Sequence, residues 1–303
     1  MTVDPSFTAL LGHDFGSTEF VDSQVRDQKS VDGMVIQSLQ LVTHAGEPVP
    51  ATWLKPDSQS EPAPAILYCH AHGNRYDIGR TELLEGRPSL IRPYAGDLIR
   101  QGYQVLCLDL PCFGERSHLG ESATAKACLW QGTTLFGWML SELLAAIDFL
   151  CVQPDVDENR LATLGISMGG THAWWLAAID VRISAAVALC CFADLECLIA
   201  NNQHDDHGNY MTVPGLVATM STGELAAHTC PRPQFFGLGL QDWSTPENCI
   251  TPARTLLEAQ YAAANAAGNL LFHIESDLGH QESTAMRQSV LSFLGRFLTA
   301  VHH

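Results

Sequence analysis

Apolar strands alternating with amphipathic helices along most of the chain predict an α/β fold: an open, mostly parallel sheet with helices on both faces. Two observations carry that expectation. Segments such as Tyr103–Leu110 are apolar almost throughout, as strands buried on both faces must be. The segments between them repeat apolar residues at spacings of three and four, the helical period.

In chain order, residues 1–33 mix polar and apolar character and are expected to form a loose helical or arm-like lead-in. Residues 34–56 read as two strands around a turn at Ala45-Gly46-Glu47-Pro48. After the linker SQSEPAP, Ala65 to Cys69 is a short apolar run that suits a buried strand, and residues 103–110 supply the next. Leu135, Met139, Leu143, Leu144, Ile147 and Leu150 mark a helix over 133–151. Strands over 160–166, 183–192, 234–240 and 270–275 then alternate with helices over 170–179, 252–267 and 284–301. Residues 194–231 break the rhythm. They are polar, rich in Asn, His, Asp and Gly, and read as a cap or insertion over the strand ends, so that 34–303 forms one catalytic domain.

Composition excludes several classes of function. The 303 residues carry 16 Lys and Arg against 33 Asp and Glu, a formal charge of −17, and no basic cluster. Nucleic-acid binding and attachment to an anionic membrane both draw on clustered cations, so neither is expected. A small neutral molecule is the expected partner, and a homo-oligomer is compatible with the chain. The start lacks a basic n-region followed by an apolar stretch, and no apolar run approaches the roughly 20 residues of a membrane span, so a cytoplasmic location is the expectation. Of the ten cysteines, Cys69, Cys107, Cys190 and Cys191 fall in strand-like runs, where a free thiol behaves as a small hydrophobe. Reduced thiols are the expectation.

Chemistry concentrates at Gly165-Ile166-Ser167-Met168-Gly169, set between an apolar strand and a helix. A sharp strand-to-helix turn exposes a nucleophile at its tip, and the helix N-terminus aims N–H groups at a developing oxyanion. Ser167 is therefore the candidate nucleophile. A serine needs a base and the base an orienting acid, in the order Ser, Asp or Glu, His. Asp242 follows the strand 234–240 and His280 follows the strand 270–275, both at carboxyl ends of the sheet. Asp277 is a second acid on the His280 loop, and His273 reads as a packed strand residue. The backbone N–H groups of Met168 and His72 are the candidate oxyanion donors, the latter from the loop His70-Ala71-His72-Gly73-Asn74. His70 reads as a structural hydrogen-bonder. Asn74, Trp243, His204 and His207 are candidate pocket residues, whereas Trp174 and Trp175 read as core.

The chain resembles the α/β-hydrolases, specifically the dienelactone-hydrolase-like and acetyl-xylan-esterase-like branch. The resemblance runs from about Pro64 to the C-terminus through His70-Ala71-His72-Gly73, LDLPCFGER, Gly137, PDVDENRLATLGISMGG, Pro214-Gly215-Leu216, CPRPQFFGLGLQD and His280. It implies an α/β-hydrolase fold, a serine esterase with Ser167, His280 and Asp242 as the triad, and neither metal nor organic cofactor. Ala71 stands where the family usually has glycine. Ser167 replaces the cysteine nucleophile of dienelactone hydrolases proper, which argues against that activity.

Three other readings compete. A metallohydrolase could use His70 and His72 with His204-Asp205-Asp206-His207, but it leaves the serine turn and its ordered partners without a role. A non-catalytic binding protein would have little reason to keep all three triad residue types. A peptidase like the prolyl oligopeptidases would carry a large N-terminal propeller, and no blade repeat precedes the sheet here.

Overall fold

The computed structural model describes residues 5–298. Nine strands form one sheet: β1 Phe20–Val31, β2 Met34–Thr43, β3 Pro48–Pro56, β4 Ala63–Cys69, β5 Gln104–Leu108, β6 Val156–Ile166, β7 Ile183–Leu189, β8 Gln234–Gly239 and β9 Leu270–Glu275. Their spatial order is β1-β2-β3-β5-β4-β6-β7-β8-β9. The β1–β2, β2–β3 and β3–β5 pairs are antiparallel and the rest parallel. The chain leaves β4 toward β5 on one side and returns to β6 on the other. That reversal opens a crevice at the carboxyl ends of the central strands.

Alternation along the strands divides the core. Ala65, Leu67 and Cys69 face one apolar cluster, with helices Leu135–Cys151 and Met168–Ile179. Ile66 and Tyr68 face the other, with helices Ala95–Arg100 and Thr284–Leu298. Every residue of β4, β5 and β8 is buried, as their unbroken apolar runs require. Trp174 and Trp175 lie inside the first cluster.

The structure departs from the sequence expectation in four places. Residues 20–31, expected within a loose lead-in, form β1, because a register with β2 satisfies their backbone groups although their side chains stay exposed. Phe7 and Leu11, just upstream, are fully buried against the first cluster, and each such burial stabilises by about 1.5–3 kcal/mol. The strand after Ile183 stops at Leu189, because Cys190 takes φ +52° and leaves the ladder. The helix expected from residue 252 begins at Glu247 and carries Pro252 inside it. The fourth departure concerns the thiols. Cys197 and Cys249 form a disulfide that joins helices Leu195–Ala200 and Glu247–Ala263 across the cap boundary. Cys69, Cys107, Cys190 and Cys191 are free, as expected. Between β7 and β8 the cap is built of short helices and 3-10 turns, among them Leu195–Ala200, His204–Asp206, Asn209–Met211 and Thr222–Ala227. No helix among the described residues is long and apolar enough to cross a membrane.

Candidate active site

Ser167 sits between β6 and helix Met168–Ile179 with φ +58°, a left-handed conformation that costs a non-glycine residue roughly 1–3 kcal/mol. The surroundings hold it there. Its N–H donates to the Leu189 carbonyl (2.8 Å), and its own carbonyl accepts from the Thr171 N–H (2.9 Å). Glycine is required at 169 because a Cβ there would collide with the Cys69 carbonyl on β4. The turn can therefore form only with glycine two residues to either side of the serine, at 165 and 169.

His280, on the loop after β9, places Nε2 2.9 Å from Ser167 Oγ. Its Nδ1 lies 2.9 Å and 3.0 Å from the two carboxylate oxygens of Asp242, on the loop after β8. Asp242 is almost fully buried. Burial pushes its pKa up, but the hydrogen bond and charge of His280 and two donors from Ser244 outweigh that and hold it below the ordinary carboxylate range. Those donors are the Ser244 N–H (2.8 Å) and hydroxyl (2.7 Å). A carboxylate fixed on Nδ1 keeps the imidazole proton on that side and leaves Nε2 free to accept the serine proton.

The loop after β4 closes the opposite side. His70 is fully buried, with Nδ1 3.1 Å from the Ala71 carbonyl and Nε2 accepting from the Leu110 N–H (3.3 Å). Burial lowers its pKa to about 4. It is a neutral structural hydrogen-bonder, as its sequence position suggested. The His72 side chain accepts from the Asn74 N–H at Nδ1 (3.0 Å), so its proton sits on Nε2 and is donated to Glu121 (2.8 Å). Both rings are thus engaged by protein partners, and the His204–His207 segment does not join them in a cluster of ligands. Among the described residues, the one group of three such side chains with ligand atoms close together is Cys190, Asp242 and His280, the Asp–His pair with a thiol beside it.

A cavity of about 110 Å³ opens on Ser167, lined by His72, Asn74, Met168, Tyr210, Trp243 and His207 among others. Trp243 is half exposed and lies 5.3 Å, ring to ring, from His280. His207 faces the Ser244 carbonyl and the Trp243 ring, and burial holds its pKa below the ordinary value. His204 departs from expectation. It is exposed and does not line the Ser167 cavity; it lines a second cleft in the cap, which shares His207 and Met211 with that cavity. Asp277 is exposed and bonded to Ser276, not His280. His273, on β9, is paired with Glu275 of the same strand and with Ser289 of helix Thr284–Leu298. Sequence reasoning missed Ser244, Glu121 and Tyr210. Ser244 stands two residues after Asp242 and could have been found as the Asp-x-Ser turn it makes. Glu121 and Tyr210 lie far from the motif and gave no signal.

Over 265 residues the chain is 36% identical to YtaP of Bacillus subtilis (strain 168), a protein named as a hydrolase; the match covers 87% of this chain and 88% of that one. The chain belongs to the α/β-hydrolases. No protein-family model matches it. Among solved structures, this hydrolase is similar to a glucuronoyl esterase from Solibacter usitatus, with a TM-score of 0.69 at 12% identity over 96% of this chain and 91% of that one. An acetyl xylan esterase from Paenibacillus sp. R4 is similar with a TM-score of 0.64 at 17% identity, over 98% and 100% of the two chains. At these identities the structural likeness speaks for the fold.

Proposed function

We propose that this hydrolase cleaves carboxylic esters, with short acyl groups such as acetyl on a small neutral alcohol or sugar, through an acyl-enzyme. The observation that carries this is the unbroken relay from Ser167 Oγ through His280 to Asp242, at 2.9 Å and 2.9–3.0 Å, on a strained strand-to-helix turn. The esterase names of the structural neighbours support the reaction class. The small cavity at Ser167 supports a short acyl chain, and the −17 charge disfavours anionic esters.

Ser167 Oγ attacks the ester carbonyl while His280 Nε2 takes its proton. The carbonyl oxygen becomes an oxyanion, stabilised by the backbone N–H groups of Met168 and His72. Collapse breaks the bond to the alcohol oxygen, which leaves with the proton from His280. Water then gives a proton to His280 and attacks the acyl-serine. The second collapse returns that proton to Ser167 and releases the acid. Asp242 stays ionised throughout and stabilises the imidazolium. Ser167→Ala is expected to lower kcat for p-nitrophenyl acetate by at least about a thousandfold and to abolish labelling by a fluorophosphonate. Retained turnover would overturn the assignment.

A further inference from the structure

One buried carboxylate in this region has no part in the relay. Glu121 opens helix Glu121–Trp130 and is almost fully buried. Its Oε2 accepts from His72 Nε2–H (2.8 Å) and the Tyr76 hydroxyl (2.5 Å), and its Oε1 accepts from the Tyr210 N–H (2.8 Å). These three donors come from different places. His72 belongs to the loop after β4 that faces Ser167, Tyr76 to the segment behind it, and Tyr210 to the cap. The cap backbone comes very close here: a Cβ on Gly208 would lie 2.9 Å from Glu121 Oε1 and 3.0 Å from His72 Nε2. His72 is also held from within its loop by the Asn74 N–H, so its ring orientation is fixed at both nitrogens.

We infer that Glu121 is a positioning residue for the oxyanion hole: its carboxylate ties the His72 loop to the cap at Tyr210, so that the His72 backbone N–H keeps its place opposite Ser167 while the cap lies against the body. The inference rests on the serine-esterase reading above. The chemistry demands an ionised acid. Three donors converge on two acceptor oxygens, and a carboxylate offers about four lone-pair sites for them. An amide of the same shape offers one oxygen and an NH2 group, which here would point at a donor. A glutamine should therefore loosen the loop without removing bulk. Since an oxyanion donor acts on the transition state more than on the bound ester, the loss should fall on kcat.

The test compares wild type, Ser167→Ala, Glu121→Gln and Tyr76→Phe on p-nitrophenyl acetate, with kcat and KM resolved and folding followed by circular dichroism. Glu121→Gln is expected to lose about 10- to 100-fold in kcat, the scale of a displaced oxyanion donor, with KM within about threefold. The affinity of a boronic-acid transition-state analogue should fall with kcat. Tyr76→Phe removes one donor from a partly exposed position and should cost roughly two- to tenfold in kcat. If Glu121→Gln does not fold, Tyr76→Phe decides alone. Unchanged kcat in folded Glu121→Gln or in Tyr76→Phe, or a loss carried by KM alone, overturns the inference and leaves the esterase reading intact. Wild-type turnover that does not depend on Ser167 brings down both.

Discussion

Two loops converge on Ser167 and both are anchored by a buried acid, but to different parts of the molecule. On the His280 loop the acid is Glu282, which is bound by Arg287 through Nε and Nη2 (2.7 Å each) and by the Tyr94 hydroxyl. Arg287 also pairs with Asp97 (2.6 Å) and lies over the Tyr94 ring. All of these partners sit on the helices Ala95–Arg100 and Thr284–Leu298 or beside them, in the body. On the His72 loop the Ala71 end is likewise held by the body, through Glu82 and Arg87. The His72 end is held by Glu121, which is shared with the cap. The His280 loop thus has its own anchor in the body, whereas the His72 end of the other loop shares its anchor with the cap. A change in the cap can reach the His72 loop through the Tyr210 N–H bond to Glu121.

The largest break in that comparison is expected from Arg287→Ala, which strands Glu282 as a buried charge without a cation and leaves Asp97 only the more exposed Arg92 and Arg100. Removing one partner of a buried ion pair costs about 3–5 kcal/mol. The urea midpoint should fall steeply, while any folded fraction keeps its ester KM. A midpoint equal to wild type would mean that the body anchor carries no load.

Acid sharpens the comparison next, because it acts on both anchors together. Burial raises the pKa of Glu121, but hydrogen bonds from His72, Tyr76 and the Tyr210 N–H bring it below the ordinary value. Burial likewise raises that of Asp97, but Arg92 and Arg287 bring it down. A carboxyl depressed in the folded state stabilises above its unfolded pKa, and that stability is lost as pH falls through the folded value. Urea midpoints are therefore expected to be insensitive to these groups above about pH 5 and to decline below about pH 4. A midpoint unchanged down to about pH 3 would contradict the anchoring.

The smallest effect belongs to Trp243→Ala. The ring is half exposed, so stability should change by no more than about 0.5 kcal/mol. Its place beside His280 and His207 predicts a change in KM among esters that differ in the alcohol, with kcat for the acetyl group little altered. Identical KM values across such a panel would remove Trp243 from the pocket.

Much of the sheet was legible because burial on both faces writes an unbroken apolar run, and much of the relay because α/β sheets gather loop residues at one edge. Ser167, Asp242 and His280 come together as that logic requires. β1 was not legible: its exposed side chains show no alternation, and only pairing with β2 makes it a strand. His204 was misplaced because a polar loop offers no period from which to read direction. The Cys197–Cys249 bond was equally hidden, since adjacency across the cap boundary is a property of packing.

By itself the sequence determined the fold class, the serine turn and the order of its partners, since these depend on local periodicity, on small residues at a tight turn and on chain order. Only the tertiary structure decided what holds the His72 loop. The three donors that meet on Glu121 come from residues 72, 76 and 210. Hydrogen bonds act over about 3 Å of space whatever the distance along the chain, so no pattern along the sequence could announce their meeting.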